Sequence, residues 1–230
     1  MARRGSRAGA AYDAGVDEHE DDEGRFGSAA QASEWDARYG KHDAAMWSGR
    51  PNGRLVAEAT DLRPGTALDV GCGEGADAIW LVQQGWTVTA IDVSEVAVRR
   101  GREAAERLGV AVEWIAGDAL RTPFGAGSFD LVSLQYPALP KAAGEGALRH
   151  LLAAVRPGGL LLAVYHDLDH EHREHMKARG SDPADYVGAD DLAPLLAGDF
   201  TVELHAVEPR VDPPPGTPHI ADVVLRARRR

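Results

Sequence analysis

The stretch Ala67-Leu-Asp-Val-Gly-Cys-Gly-Glu-Gly75 restricts the fold of this chain more than any other. A short apolar run ends in three glycines at alternate positions. A strand must therefore turn sharply there, and its backbone can approach a ligand with no side chains in the way. A second apolar run, Thr87–Ile91, closes on a carboxylate at Asp92. An acid at the end of the second strand can hold both hydroxyls of a ribose. Together they predict a strand, loop, helix and strand around a pocket for an adenosine-bearing cofactor.

The same alternation continues along the chain. Strands are expected at Ala67–Val70, Thr87–Ile91, Val110–Ile115, Phe129–Leu134 and Leu160–Tyr165. Helices are expected at Ala76–Gln84, Glu95–Leu108 and Gly146–Val155, the second ended by Gly109 and the third stopped by Arg156-Pro-Gly-Gly159. Strands alternating with helices imply a parallel sheet covered on both faces. Two closing strands, Phe200–Val207 and Ile220–Ala227, have only a proline-rich link between them, so they are expected to pair antiparallel. The predicted fold is α/β, a Rossmann-like three-layer sandwich with a seven-stranded mixed sheet and its last strand antiparallel. Residues 65–230 form this domain. Residues 29–64 are expected as a helical lid, with Ser33 capping one helix and Pro51 opening another through about Thr60. Residues 1–28 carry the acidic run Asp17-Glu-His-Glu-Asp-Asp-Glu23 and are expected as a mobile tail.

Composition narrows the function. A formal net charge of -11 argues against holding nucleic acid by phosphate neutralisation. The basic cluster Arg226, Arg228, Arg229 and Arg230 is read as solubilising a terminal strand. The single cysteine, Cys72, gives no intrachain disulfide, and no run approaches the roughly 20 apolar residues of a membrane span. The paired arginines at the start have no apolar stretch behind them, so no export signal is expected and the protein is read as cytoplasmic.

The glycine spacing separates two cofactor classes. Gly71-x-Gly73-x-Gly75 brings its third glycine one residue too early for the dinucleotide fingerprint, and position 76 is alanine. A dinucleotide rests its pyrophosphate on the helix N-terminus. S-adenosyl-L-methionine has no phosphate, and its amino-acid end needs an acid and backbone donors, for which Asp69 is placed. An NAD(P)-dependent oxidoreductase is the alternative. It also lacks support from a Tyr-x-x-x-Lys dyad, since Tyr136 and Lys141 are one residue too far apart. A non-catalytic binding protein with the same pocket is a third option.

Asp69-Val-Gly-Cys-Gly73 with Asp92, Gly117-Asp118-Ala119 and Phe129-Asp130-Leu-Val132 resembles the class I S-adenosylmethionine-dependent methyltransferases over residues 65–165. Trp35-Asp36-x-x-Tyr39 and Trp47-Ser-Gly-Arg-Pro51 are similar to their small-molecule branch, which includes tellurite-resistance and thiopurine methyltransferases. The resemblance implies that Gly71 and Gly73 pass under the methionine part, with Asp69 near its ammonium. It implies that Asp92 accepts the ribose hydroxyls, that Val93 and Ala119 flank the adenine and that Asp118 meets its amino group. Gln135 would lie at the methyl end. Asp92 could instead cap the helix near Ser94, and Asp118 could be a plain turn residue.

The acceptor is read less directly. Leu134-Gln-Tyr-Pro-Ala138 lacks the motif that DNA amine methyltransferases carry after the fourth strand, so a small-molecule acceptor is expected. Its nucleophile is sulfur, oxygen, nitrogen or a metalloid. His166, at the end of the fifth strand, is the candidate base, and Tyr136 can orient the acceptor or wall the pocket. Trp35, Tyr39 and Trp47 can close over a cationic donor, or simply pin their helix to the core. Arg50 is a candidate for the cofactor carboxylate, and Arg210 and His219 could line the acceptor side. His166, His170, His172 and His175 cluster in sequence, but the spacing is not that of a metal helix and a solvated face is expected. Cys72 is read as a small core-facing residue.

Overall fold

The computed structural model describes residues 28–42, 45–178, 180–213, 217 and 219–230. The stretch read as a mobile acidic tail lies outside the described residues apart from Ser28. Two helices, α1 (Ser28–Gly40) and α2 (Gly53–Ala59), precede β1 (Thr66–Val70). Then follow α3 (Ala76–Gln83), β2 (Thr87–Asp92), α4 (Glu95–Leu108), β3 (Glu113–Ala116), β4 (Phe129–Gln135), α5 (Gly144–Leu152) and β5 (Val155–His166). The chain ends with α6 (His170–Ala178), one turn of helix α7 (Ala189–Leu192), β6 (Phe200–Pro209) and β7 (Ala221–Arg229).

The seven strands form one sheet in the order β3-β2-β1-β4-β5-β7-β6. Strands β1 to β5 are parallel, and β7 runs antiparallel to both of its neighbours. The last strand thus enters between β5 and β6, and β6 forms the edge. Side-chain alternation splits the core in two, as a covered sheet requires. Leu68, Val132, Leu161 and Leu225 point to one face, where Leu148, Leu151 and Leu192 cover them. Ala67, Leu131, Leu160 and Val224 point to the other, against Leu55, Ala78 and Leu81.

Several boundaries differ from the expected ones for local reasons. Helix α1 begins before Ser33, which sits exposed inside it, because the alanine-rich start continues the helix without a cap. Asn52, not Pro51, opens α2: its side-chain oxygen accepts the Arg54 N–H at 2.9 Å. Strand β3 starts only at Glu113, since the Val110 N–H returns to the Ala105 carbonyl and completes the end of α4. Strand β5 begins at Val155, running through the Arg-Pro-Gly-Gly segment, and its register with β4 shifts between Phe129 and Leu131 to accommodate it. Strand entry is pinned at Asp130, whose Oδ2 accepts both the N–H and the hydroxyl of Thr66 at 2.8 and 2.9 Å. Partial burial opposes ionisation there, but these bonds and Arg156 hold the Asp130 carboxyl below the usual range.

Candidate active site

The loops that follow β1 to β5 enclose one cavity of about 1560 Å³ at the carboxyl edge of the sheet. In an open parallel sheet this is where a ligand crevice forms, at the point between β1 and β4 where the strand order reverses. The glycine loop forms its floor. Gly71 and Cys72 both donate backbone N–H groups to the Ile91 carbonyl at 2.8 and 3.0 Å, bending the chain away from the sheet. Gly73, at φ +53, lies under the Tyr39 hydroxyl, where any Cβ would stand 2.9 Å from that oxygen. Gly75, at φ +81, lets α3 begin against Trp114, whose ring a Cβ would meet at 2.3 Å.

Asp92 closes β2 beside this loop. Its Oδ2 accepts the Gly73 N–H at 2.8 Å and its Oδ1 accepts the Ser94 N–H at 2.9 Å. Burial holds the carboxyl above its ordinary range, against these two hydrogen bonds. Asp92 therefore orders the loop and the start of α4 while lining the cavity; the helix cap itself is Ser94, whose hydroxyl accepts the Ala97 N–H at 3.1 Å. Gly71, Gly73, Val93, Asp118, Ala119 and Gln135 line the same cavity. Asp118 also serves as a turn residue, its Oδ1 accepting the Leu120 N–H at 2.8 Å. Gln135 donates from Nε2 to Ser133 Oγ at 3.0 Å, leaving its buried Oε1 without a partner.

Asp69 is the exception among the expected donor-side residues. It is fully buried within β1, beneath the loop and off the cavity wall, because alternation along the strand turns it inward. Its Oδ2 has no hydrogen-bond partner. Burial, together with Asp77 and Asp92, holds its carboxyl well above the ordinary value. Asp77, in the first turn of α3, reaches the cavity instead. Its Oδ1 accepts the Asn52 N–H at 2.6 Å, and burial pushes its pKa up to about 6. Cys72 packs against the core, and burial likewise pushes its thiol up, away from nucleophilic use.

The segment before the sheet folds over this floor. Tyr39 is 3 % exposed and accepts the Trp47 indole N–H at 3.0 Å, while Trp47 itself is 54 % exposed. Trp35 tilts against Tyr39 with ring centroids 6.1 Å apart, and all three rings line the cavity. Glu74 fastens the segment by accepting the N–H groups of Met46 and Trp47 and pairing with Arg100 at 2.9 Å. Asp36 ties α1 to α4, accepting the Ser94 hydroxyl at 2.6 Å and the Val96 N–H at 3.1 Å. Arg50 lines the rim, but its guanidinium pairs with Asp212 and both side chains are exposed. The expected approach of Arg50 to a cofactor carboxylate is thus replaced by an ion pair on the rim.

The far end of the cavity is aromatic and polar. Tyr136 adopts φ +53, a conformation that costs a non-glycine residue about 1–3 kcal/mol. Its ring stacks on His166 at 4.0 Å, and His166 stacks on His219 at 4.6 Å. The Arg210 guanidinium lies 5.2 Å over the Tyr136 ring. Burial, then the charges of His219 and Arg210, push the His166 pKa down to about 4. Of the sequence's histidine cluster only His166 lines the cavity. His170 and His175 are exposed on α6, and His172 pairs with Asp169 at 2.7 Å. Among the described residues no three His, Cys, Asp or Glu side chains gather as a metal site.

Several residues escaped sequence reading. Glu74 sits inside the glycine motif and Asp77 in the next turn, so position alone could have flagged both. Asn52 is itself a residue type that caps helices, but the adjacent Pro51 is an equally strong start signal. Asp222, buried on β7 and bonded to Tyr136, has no sequence signal at all, because its strand reaches the site only through sheet order.

Comparison with known proteins agrees with this geometry. Residues 67–159 match the methyltransferase domain family. Nocamycin O-methyltransferase of Saccharothrix syringae is 42% identical over 108 residues, covering 43% of this chain and 39% of that protein. Demethylmenaquinone methyltransferase of Beutenbergia cavernae is 33% identical over 112 residues, covering 48% and 45%. The chain spans less than half the length of these two curated relatives. A crystal structure of the 1,6-didemethyltoxoflavin-N1-methyltransferase of Burkholderia thailandensis superposes with a TM-score of 0.60 at 24% identity, covering 88% of both chains. No helix among the described residues is long and apolar enough to cross a membrane. In its glycine loop, its 3-2-1-4-5-7-6 sheet and these relatives, the chain resembles the class I S-adenosylmethionine-dependent methyltransferases, with residues 67–159 matching the methyltransferase domain family.

Proposed function

We propose that the protein transfers a methyl group from S-adenosyl-L-methionine to a small-molecule acceptor. One observation carries this: a single cavity is lined both by the glycine loop and Asp92 and by Tyr136 and His166, with Gln135, whose buried Oε1 has no partner, on the same lining. Gly71 and Gly73 would pass under the methionine part and Asp92 would hold the ribose hydroxyls. Val93 and Ala119 would flank the adenine, with Asp118 at its amino group and Gln135 at the methyl end. Asp77, which lines the cavity where Asp69 does not, is better placed than Asp69 to meet the ammonium. Residues 29–64, through Trp35, Tyr39 and Trp47, act as a lid that excludes water.

Methyl transfer asks the protein mainly for alignment and a dry site. A cavity wider than a typical single-ligand pocket fits two ligands laid end to end. The printed names of the relatives, an O-methyltransferase of nocamycin and a methyltransferase of demethylmenaquinone, support a small acceptor. Bound 1,6-didemethyltoxoflavin and S-adenosylhomocysteine in the Burkholderia structure support the same pairing. The acidic charge and the single cysteine support a cytoplasmic enzyme that does not act on nucleic acid.

Calorimetry with S-adenosylmethionine, S-adenosylhomocysteine and NADH tests the donor. Binding of the two sulfur compounds is expected; binding of NADH alone would overturn the assignment. Asp92→Ala should weaken S-adenosylhomocysteine at least about 100-fold, from two charge-assisted bonds at about 1.5–3 kcal/mol each. An unchanged dissociation constant would place the ribose elsewhere.

A further inference from the structure

The acceptor end of the cavity holds a polar pair that alignment and exclusion of water do not require. The Tyr136 hydroxyl, on the cavity wall, donates to Asp222 Oδ1 at 2.8 Å. Asp222 has no exposed surface, and its other oxygen has no partner. A carboxylate buried under a cavity-facing phenol, on a residue held at positive φ, is a costly arrangement to keep as a mere strand contact. Asp222 lies opposite His166 on β5 and Glu208 on β6 in the sheet register. The side chains of Arg210, Arg54 and His219 act electrostatically on its carboxyl and favour its charged form, against burial.

We propose that Asp222, acting through the Tyr136 hydroxyl, takes the proton from the acceptor, so that the acceptor is a hydroxyl or N–H compound that must be deprotonated as it reacts. This rests on the methyl-transfer reading given above. As the acceptor approaches the methyl carbon, its proton passes to Tyr136 Oη and the tyrosine's own proton passes to Asp222 Oδ1. The freed electron pair forms the new oxygen–carbon or nitrogen–carbon bond, and the breaking sulfur–carbon bond leaves its pair on sulfur. Asp222 then returns the proton through Tyr136 to solvent as product leaves, so one proton is released per methyl moved.

Three features favour this path. Burial holds the Asp222 carboxyl above its ordinary range, which makes it a better proton acceptor. His166, the other base within reach, is kept neutral and weakly basic, so it serves as a stacking wall. The Tyr136 hydroxyl hydrogen is committed to Asp222, which leaves the lone pairs of its oxygen to accept the acceptor's proton. Asp222 is thus a positioning residue acting through Tyr136, and of the two only Tyr136 lines the cavity.

The full chain with labelled S-adenosylmethionine tests this on two probes, catechol and thiophenol, the latter largely ionised at neutral pH. S-adenosylhomocysteine binding is measured first in wild type, Asp222→Asn and Tyr136→Phe, to show that each folds. Both variants should lower kcat for catechol about 10²–10⁴-fold. In Asp222→Asn, which leaves the cavity wall intact, the catechol dissociation constant of the S-adenosylhomocysteine complex, by calorimetry, should stay near wild type. The ratio of catechol to thiophenol turnover should collapse in both variants. Equal losses on the two probes, no loss, or wild-type transfer to thiophenol alone or to neither probe would each overturn the relay. A wild-type chain that binds no S-adenosylhomocysteine fails earlier, at the donor reading.

Discussion

At the scale of single residues, the glycine loop and its neighbours show how local chemistry makes a site. Gly75 is irreplaceable for two separate reasons: its φ of +81 strains any L side chain, and the Trp114 ring occupies the space of a Cβ. Gly75→Ala should therefore cost about 2–5 kcal/mol of unfolding free energy, the sum of left-handed strain and overpacking. Chemical denaturation measures it, and a loss under about 1 kcal/mol would mean the loop and Trp114 move aside freely. That Gly71, Gly73, Asp92 and Val93 share one cavity lining was legible in sequence because their positions follow from spacing along one β-loop-α-β unit. Asp69, expected near the cofactor ammonium, lies buried in β1 and off the cavity lining, since spacing does not reveal which face of a strand a side chain takes. Asp77, in the first turn of α3, stands on the wall instead.

At the scale of elements, helix ends carry the connections. Ser94 caps α4 with its hydroxyl oxygen and donates that same hydroxyl to Asp36 on α1. One side chain thus satisfies a helix terminus and anchors the segment that covers the cavity. Ser94→Ala should destabilise the fold by about 1–2 kcal/mol, as loss of a helix cap does. Because α1 is released too, donor affinity should fall with it, measured by calorimetry on the same variant. Full stability with weakened binding would show that the cap is dispensable and the anchor is not. Helix α4 was legible to the residue, since Ser94 and Gly109 are chemical stop signals at its two ends. Helix α6 was not, because its exposed, highly charged surface carries no apolar period to read.

At the scale of the whole molecule, burying titratable groups around one cavity couples it to pH. His166 has a native pKa of about 4 against 6.5 when unfolded, so between these values the unfolded chain binds more protons. Its contribution is fully present above pH 6.5 and is lost as the pH falls toward 4. Asp77 is shifted the other way, to about 6 from 3.8, so its contribution is present at low pH and lost as the pH rises through about 6. The two oppose each other across most of this range. Relative to wild type, Asp77→Asn should make stability climb more steeply from acid toward neutrality, and His166→Gln should make it climb less. Denaturant midpoints over that range decide it; three parallel profiles would show that neither group is perturbed. The four closing arginines show the same long-range logic. Arg226 and Arg228 pair with Glu203, while Arg229 and Arg230 donate to backbone carbonyls, so the cluster is spent inside the fold. By itself the sequence determined the strand–helix alternation, the glycine loop and the donor class, since apolar period, φ demands and charge act over a few residues. Only the tertiary structure decided the acceptor end, because Tyr136, His166, Arg210, His219 and Asp222 meet there from distant segments, brought together when β7 enters the sheet between β5 and β6.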